Sequence, residues 1–416
     1  MRTRMNTAIV AVLIAIALLA IPSVHAQSAP VAVAEENFTV RLGDGWVSKA
    51  KLTYPARQAG PFPTVIVAYR GEMDFAIPAD AGVGPGAQYF KDLAEFLSSR
   101  GIAVVRYHSR YVTGSDDAFG PRSLALTMLD HAADVERVIN AVRRMRRVDP
   151  ARIFIYGWSY SSQIVTYVAS RRPDLAGVIM QGPTASTEMQ VFIEDYLDNA
   201  LPYLRQFAPD GRITPEVLRQ AQEGDATFAK FSAADLQDPA SPDTIKVNPL
   251  LDVNGDGVLE IDAEVIPNLE RLITAGEFFR TLRLLPSVAE QAANVRIPVL
   301  VLHGEADTAV RVRNVRGLDQ AFASNPDYTL KVYPGLGHAL YPVPSRFADL
   351  FGPMDAQPKA DFAAWVLTRR PSAVPAALPV TGETGPGIGW LVAGALAFLI
   401  GGEMVRRRAL RWGRTQ

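Results

Sequence analysis

The sequence contains no cysteine, which excludes disulfide bonds and catalysis by a thiol. Histidine is also scarce, with five residues in a chain of 416, so few side chains can act as a general base near neutral pH. Positive charge is not in excess, because 42 Lys and Arg stand against 43 Asp and Glu, and this balance gives no support for a nucleic-acid partner. The chain is long enough, and with 48% hydrophobic residues apolar enough, to form one large core with an appended subdomain.

The first 26 residues have the pattern of a secretory signal peptide. Arg2 and Arg4 precede an apolar run at 8–21, and small residues suited to cleavage follow at 24–26. The alternative is an uncleaved membrane anchor. Either reading places the rest of the chain outside the cytoplasm.

The C-terminal end carries a second targeting pattern. Residues 378–382 read Leu-Pro-Val-Thr-Gly, and an apolar stretch at 388–402 and an arginine-rich tail follow. This resembles an LPxTG cell-wall sorting signal, which implies that a sortase cuts between Thr381 and Gly382 and joins the new end to peptidoglycan. The alternative is a retained transmembrane anchor, since the arginines would hold the tail in the cytoplasm. Both readings predict a protein on the extracellular surface.

Ser159 lies between a predicted strand and a predicted helix. Residues 152–157 are β-branched and aromatic up to Gly157, and an amphipathic helical pattern follows Ser159. Such a sharp turn projects its central side chain above the sheet, and small residues on both sides let it close. Here Ser161 occupies the position that is glycine in the G-x-S-x-G pattern. The alternative is a serine that only caps the helix.

Asp307 and His338 follow Ser159 in chain order, each just past a predicted buried strand at 298–304 and 329–335. Chemistry in open α/β sheets gathers at the carboxyl ends of the strands. A serine hydroxyl becomes a good nucleophile when a neutral imidazole takes its proton, and a carboxylate orients that imidazole. The spacing therefore predicts a Ser-His-Asp triad.

The triad acid has one competitor, Glu305, two residues before Asp307. Because Asp307 lies three residues after Gly304, we expect it on an exposed rim of the sheet. The other histidines fit the base less well: His25 in the signal peptide, His108 and His303 at strand ends, and His131 within a helical segment.

Three motifs together resemble the α/β-hydrolase superfamily, namely G-W-S-Y-S at 157–161, H-G-E-A-D-T-A-V at 303–310 and G-L-G-H at 335–338. The likeness is strongest to secreted esterases and to the catalytic domains of the dienelactone hydrolase and prolyl oligopeptidase groups, and it covers about residues 37–369. Prolyl oligopeptidases carry a β-propeller for which this chain has no room, so an esterase is favoured over a peptidase. The resemblance implies a serine hydrolase without a catalytic cofactor.

The order of apolar segments predicts an α/β-hydrolase fold with a mostly parallel, doubly wound sheet. An antiparallel hairpin at 38–42 and 47–54 starts it, and one long helix is expected at 124–147. A helical cap insertion is expected over the site. The predicted domains are the signal peptide 1–26, the first core part 27–184, the cap 185–295, the second core part 296–370, a Pro/Ala-rich spacer 371–381 and the sorting segment 382–416.

Within the predicted cap, residues 252–264 resemble an EF-hand or dockerin calcium loop. Acidic and amide side chains stand at its first, third and fifth positions, glycine at its sixth, and position 12 is Ala263 instead of glutamate. A structural calcium ion that pins the cap is one reading, and an acidic solvated turn is the other. The expected ligands are Asp252, Asn254, Asp256, the Val258 carbonyl and Glu264.

An oxyanion hole needs two amide donors. The Tyr160 amide, directly after the nucleophile, is the first, and the second is expected from 69–72, at the Glu72 amide. Arg70 and Glu72 would flank the negative charge that develops on the substrate oxygen. Charged residues are unusual in this part of an oxyanion hole.

The sequence thus predicts an extracellular, surface-anchored serine hydrolase in which Ser159 attacks an ester or other acyl substrate. His338 moves the proton and Asp307 orients His338. The alternatives are a serine peptidase or acyltransferase of the same fold, and a surface binding module without turnover on a hydrolase scaffold.

Overall fold

The computed structural model describes residues 32–77, 86–114, 120–224, 226–241, 244–275 and 285–369. The predicted signal peptide, spacer and sorting motif lie outside these ranges. Within them, no helix is both long enough and apolar enough to cross a membrane.

An eight-stranded sheet forms the centre of the fold, in the order β1-β2-β4-β3-β5-β6-β9-β10. The first two pairings, β1 with β2 and β2 with β4, are antiparallel, and the remaining pairings are parallel. This confirms the predicted α/β-hydrolase fold with its N-terminal hairpin. The strands are β1 (Val33–Arg41), β2 (Val47–Pro55), β3 (Phe62–Val67), β4 (Ala103–Tyr107), β5 (Val148–Trp158), β6 (Gly177–Gln181), β7 (Arg212–Ile213), β8 (Leu259–Glu260), β9 (Val299–Gly304) and β10 (Tyr328–Tyr333).

Helices cover both faces of the sheet, because successive side chains of each strand point to opposite faces and both sets are apolar. In β5, Ile153 and Ile155 belong to one buried cluster, and Phe154 and Tyr156 to the other. The α-helices are α1 (Tyr89–Ser98), α2 (Pro121–Leu124), α3 (Met128–Val142), α4 (Ser161–Ala169), α5 (Glu188–Asp195), α6 (Leu201–Leu204), α7 (Pro215–Glu223), α8 (Thr227–Asp235), α9 (Leu269–Ala275), α10 (Val288–Ala292), α11 (Val312–Arg316), α12 (Leu318–Ala321) and α13 (Ala356–Thr368).

The single helix expected at 124–147 is observed with shorter bounds, as α3, and the short helix α2 overlaps the expected range only at Leu124. The long helix begins after Thr127. The Thr127 hydroxyl accepts a hydrogen bond from the Asp130 amide, and the Asp130 carboxylate accepts one from the Thr127 amide. This capping box satisfies amides that a continuous helix would have bonded internally.

The chain leaves the sheet after β6 and returns at β9, and the insertion between them builds a hydrophobic core of its own. That core includes Tyr203, Leu218 and Ala229, from three different helices. A π-helical turn, Tyr196–Ala200, joins α5 to α6. The insertion therefore has the helical character that the sequence predicts.

Candidate active site

Ser159 occupies the turn between β5 and α4 with φ of 57°, a left-handed conformation that few non-glycine residues adopt. Its amide donates to the Gln181 carbonyl at 2.8 Å, which ties the turn to the end of β6. A side chain at Gly157 would come within 2.5 Å of the Ser161 carbonyl, so glycine is required there. The local geometry is that of a strained strand-to-helix elbow.

Asp307 and His338 form a hydrogen-bonded pair. His338 Nδ1 and Asp307 Oδ2 are 2.8 Å apart, and Asp307 Oδ1 accepts from the Ala309 and Val310 amides at 2.9 and 2.8 Å. The expectation of an exposed rim is wrong, since Asp307 is 1% exposed. The loop after β9 folds back so that its own amides surround the carboxylate, whereas Glu305 points to solvent.

The two pKa values of this pair shift in opposite directions. Burial alone would raise the pKa of Asp307, but the neighbouring imidazoles of His338 and His303 and the Val310 amide lower it below its usual value. Burial alone would lower the pKa of His338, but the carboxylate of Asp307, with smaller contributions from Asp349 and Asp195, raises it. The Asp307 carboxylate would therefore stabilise the imidazolium that forms when His338 takes a proton.

Contacts around His338 bring the ends of three strands together. The Trp158 indole donates to the His338 carbonyl at 3.0 Å, and the two rings lie 5.6 Å apart. A side chain at Gly182 would come within 2.9 Å of the His338 ring, so the end of β6 lies directly against the imidazole. Ser159, the next residue after Trp158, is half-buried, whereas Asp307 and His338 are buried. All three predicted residues thus follow the carboxyl ends of parallel strands, β5, β9 and β10, at one edge of the sheet.

A buried amide holds the backbone of the histidine loop. Gln181 Nε2 donates to the His338 carbonyl at 3.0 Å, and the hydroxyl of Tyr156 donates to Gln181 Oε1 at 2.5 Å. Tyr89 bridges to the next residue of the loop by donating to the Ala339 carbonyl at 2.8 Å. Sequence reasoning missed Gln181, although a polar residue at the end of an otherwise apolar strand was a usable signal.

The loop predicted to complete an oxyanion hole lies beside the elbow. The Tyr160 hydroxyl donates to the Arg70 carbonyl at 3.3 Å and also hydrogen-bonds to the Tyr69 hydroxyl. The Glu72 carboxylate accepts from the Asp74 and Ala76 amides of its own loop, at 3.4 and 3.3 Å. Among the residues described, the Glu72 amide donates no hydrogen bond, as an oxyanion donor requires. The roles of the Tyr160 and Glu72 amides stay predictions.

The Arg70 guanidinium turns away from that loop. It lies buried and donates to the Ser123 and Leu124 carbonyls, each at 3.4 Å. Arg70 is therefore hydrogen-bonded to backbone carbonyls of another segment, and Glu72 to amides of its own loop.

The calcium-like loop is closed by its own side chains. The Glu264 carboxylate accepts from the Val253 and Asn254 amides at 3.0 and 3.3 Å, and Asp252 Oδ1 accepts from the Gly255 amide at 2.8 Å. The other polar side chains bond within the loop in the same way: Asn254 Oδ1 accepts from Asp256, and Asp256 Oδ1 accepts from Val258.

In the described ranges, no group of three or more His, Asp or Glu side chains is arranged to hold a metal ion. Glu264 serves as an acceptor for loop amides instead of facing a common centre with Asp252 and Asp256. The geometry therefore matches the acidic turn, and calcium binding stays a prediction that these contacts do not support.

The inserted helices reach the histidine. The Phe228 ring, from α8, lies 5.3 Å from the His338 ring in an edge-to-face arrangement and 5.2 Å from the Phe351 ring. Arg313 forms an ion pair with Asp198 at 2.5 Å, which joins the insertion to the chain just after the Asp307 loop. One apolar ring from the insertion thus covers one side of the imidazole.

A carboxylate from the insertion also faces this region. Burial raises the pKa of Asp195 to about 6, and the hydrogen bonds from Ser232 and Asn199 offset part of that shift. Ser232 Oγ donates to it at 2.7 Å and Asn199 Nδ2 at 3.1 Å. Sequence reasoning did not single out Asp195.

The fold and the arrangement of strand-end residues define a class of protein, the α/β hydrolases. A family described as the alpha/beta hydrolase fold matches residues 81–344. The chain therefore belongs to the alpha/beta hydrolase fold family.

Esterase EstD of Thermotoga maritima is 31% identical over 157 residues. That alignment covers 37% of this chain and 34% of the relative, so the chain matches about a third of the relative's length. Among solved structures, an esterase of Pyrococcus furiosus is 12% identical with a TM-score of 0.45, covering 83% of this chain and 96% of its own. The Pyrococcus horikoshii acylaminoacyl peptidase is 14% identical with a TM-score of 0.45, and the match covers 84% of this chain and 43% of the peptidase.

Proposed function

We propose that this protein is a serine hydrolase that cleaves carboxylic esters through an acyl-enzyme on Ser159. The observation that carries the proposal is the buried His338–Asp307 hydrogen bond of 2.8 Å, together with a serine held at φ of 57° directly after Trp158, whose indole bonds to the His338 carbonyl. A strained elbow exposes a nucleophile, and a carboxylate-paired imidazole supplies its base. Neither feature is needed to build the sheet.

The proposed reaction has two steps. The Ser159 Oγ attacks the ester carbonyl carbon while its proton passes to His338 Nε2, and the imidazolium is stabilised by Asp307. The intermediate then collapses, and the alcohol leaves with the proton from His338. In the second step water attacks the acyl-enzyme, His338 takes one water proton, and Ser159 regains its hydrogen as the acid is released.

One feature supports an ester substrate over the alternatives, and a second supports catalysis at His338. The curated relative is an esterase, and it matches this chain over 157 residues. The Phe228 and Trp158 rings, at 5.3 and 5.6 Å from His338, restrict water on their side of the imidazole and strengthen its electrostatic interactions. A peptide substrate, or acyl transfer to an alcohol, would use the same residues.

Labelling by a fluorophosphonate probe tests this proposal against a binding module without turnover. We expect stoichiometric labelling of the purified protein and none of Ser159→Ala, because only an activated serine attacks the phosphorus. Ser162→Ala is the matched control, because Ser162 is the second residue of α4, the helix that follows the elbow. This variant should label like the wild type. A folded wild-type protein that the probe does not label would refute the serine hydrolase and favour the binding module.

We further propose that the protein is exported and attached to the cell wall, with a retained membrane anchor as the alternative. The signal-peptide pattern of the first 26 residues and the Leu-Pro-Val-Thr-Gly motif at 378–382 support this. Mass spectrometry of the protein released from the cells by a wall hydrolase should find Thr381 as its last encoded residue. A mature chain that retains residues beyond Gly382 would refute sortase attachment.

A further inference from the structure

Asp349 is a fully buried carboxylate that joins the two loops of the proposed triad. Its Oδ1 and Oδ2 accept from the His338 amide at 3.0 and 3.1 Å. Its Oδ2 also accepts from the Thr308 amide at 2.8 Å and from the Thr308 hydroxyl at 3.1 Å. Thr308 directly follows Asp307, so one side chain fixes the backbone at the acid and at the base.

The surrounding chain is shaped to admit this carboxylate. Any side chain at Gly337 would overlap the Asp349 carboxylate, so the loop before His338 must carry glycine at that position. A side chain at Gly304 would overlap the carbonyls of Leu336 and Gly337, which keeps β9 equally close to the same loop. The Asp307 loop, the His338 loop and Asp349 thus form one close-packed unit.

In the part of the chain that the structure describes, Asp349 forms no ion pair with a Lys or Arg side chain that would offset its burial, and it is 0% exposed. Burial and the negative charge of Asp307 raise the pKa of Asp349 to about 7, while the Thr308 and His338 amides and the His338 ring lower it. A second buried acid beside Asp307 is costly for folding alone.

We propose that Asp349 is a positioning residue of the hydrolase, which aligns His338 with Asp307 and places a second negative charge near the imidazolium formed during the reaction. This inference rests on the proposed function. It explains why a carboxylate, and not a neutral acceptor, occupies the buried junction between the two loops.

The charged and titratable groups around this junction come from several segments. His338 faces Asp307 and Asp349 from the core and Asp195 from the insertion, and His303 lies behind Asp307 at 3.8 Å. Transfer of the Ser159 proton to His338 places a positive charge among these acids, and Asp349 stabilises that charge most when ionised. Removing its charge should disfavour the imidazolium without touching the serine.

The test is Asp349→Asn, assayed for ester hydrolysis across a range of pH. The asparagine side chain carries no charge, and its NH₂ group would face one of the three donors that bond to the Asp349 carboxylate. The position of His338 relative to Asp307 would therefore shift. We expect kcat to fall roughly 10- to 100-fold with a smaller change in KM, as small misplacements in active sites do. The acid limb of kcat/KM should move to lower pH, because loss of a nearby negative charge lowers the pKa of His338.

Asp174→Asn is the matched control, since Asp174 is also a buried acid but pairs with Arg172 at 2.8 Å in the loop that joins α4 to β6. It should lower the melting temperature without moving the acid limb. Thr308→Val removes one of the four hydrogen bonds to Asp349 and leaves its charge. It should cause a fall in kcat smaller than that of Asp349→Asn, and it serves as the test if the Asn variant does not fold.

Wild-type kcat and an unmoved acid limb in folded Asp349→Asn would overturn the inference, as would wild-type kcat in Thr308→Val where only that variant folds. A lower melting temperature with kcat and the acid limb unchanged would mean that Asp349 has only a structural role. The proposed function is judged separately: if Ser159→Ala keeps its activity, the serine mechanism fails whatever Asp349 does. If Ser159→Ala is inactive and Asp349→Asn is not impaired, only this inference fails.

Discussion

Ser159→Ala is expected to remove hydrolysis of p-nitrophenyl acetate, with kcat reduced by about 10⁶-fold, as when the nucleophile of a serine protease triad is deleted. The hydroxyl of Ser159 makes no hydrogen bond to any residue that the structure describes, and the residue is half-buried. Its loss should therefore leave the melting temperature nearly unchanged. The measurement pairs a burst-phase assay with thermal unfolding of the same preparation.

The controls for this variant are the two neighbouring serines, Ser161 and Ser162, both 0% exposed in the first turn of α4. Ser161→Ala and Ser162→Ala should retain the reaction, because neither side chain can reach a substrate. If one of them were the inactive variant and Ser159→Ala kept the wild-type rate, the elbow would be misassigned.

Asp307→Asn is expected to lower kcat by about 10⁴-fold, as the equivalent change does in the serine protease template. The carboxylate accepts the Nδ1 proton of His338, which leaves Nε2 free to take the serine proton. An amide can place its NH₂ group at the 2.8 Å contact and favour the opposite tautomer. The remaining activity should have an acid limb at lower pH, because the main charge that raises the pKa of His338 is gone.

The same variant should also lose some stability, because Asp307 is 1% exposed and its carboxylate is hydrogen-bonded on both oxygens. One weakened buried hydrogen bond to a charged group typically costs about 1–3 kcal/mol. Assays well below the melting temperature separate this loss from the catalytic one. Glu305→Gln is the control, since Glu305 is exposed, and it should behave like the wild type. Reversed effects would assign the acid to Glu305.

Local patterns determined much of this protein in advance. An apolar strand that stops at Gly157 and passes into a helix is enough to predict the elbow, because close contact with Ser161 depends on neighbours in the chain. Strand-end positions for Asp307 and His338 follow from the parallel order of the sheet. The antiparallel hairpin of β1 and β2 was also predictable, from alternating residues on either side of a short turn.

Where sequence patterns were not sufficient, hydrogen bonds formed by the folded backbone decided the local structure. The helix expected at 124–147 begins only at Met128, because Thr127 and Asp130 form a capping box there, a signal that the apolar period concealed. The calcium-like loop matched a ligand spacing, but Glu264 is engaged by three backbone amides of the same loop. Spacing predicts which groups are available, and only the folded backbone decides what they bond to.

The sequence by itself determined the class of fold, the order Ser159, Asp307 and His338, and the placement of each at the end of a strand, since these depend on periodicity and turn chemistry within short segments. Tertiary structure alone decided the burial of Asp307, the cover of His338 by Phe228, and the bridge from Asp349 to both loops. These contacts join residues from 11 to 110 positions apart in the chain. Their energies come from burial and from hydrogen bonds that exist only once the sheet has brought the loops together.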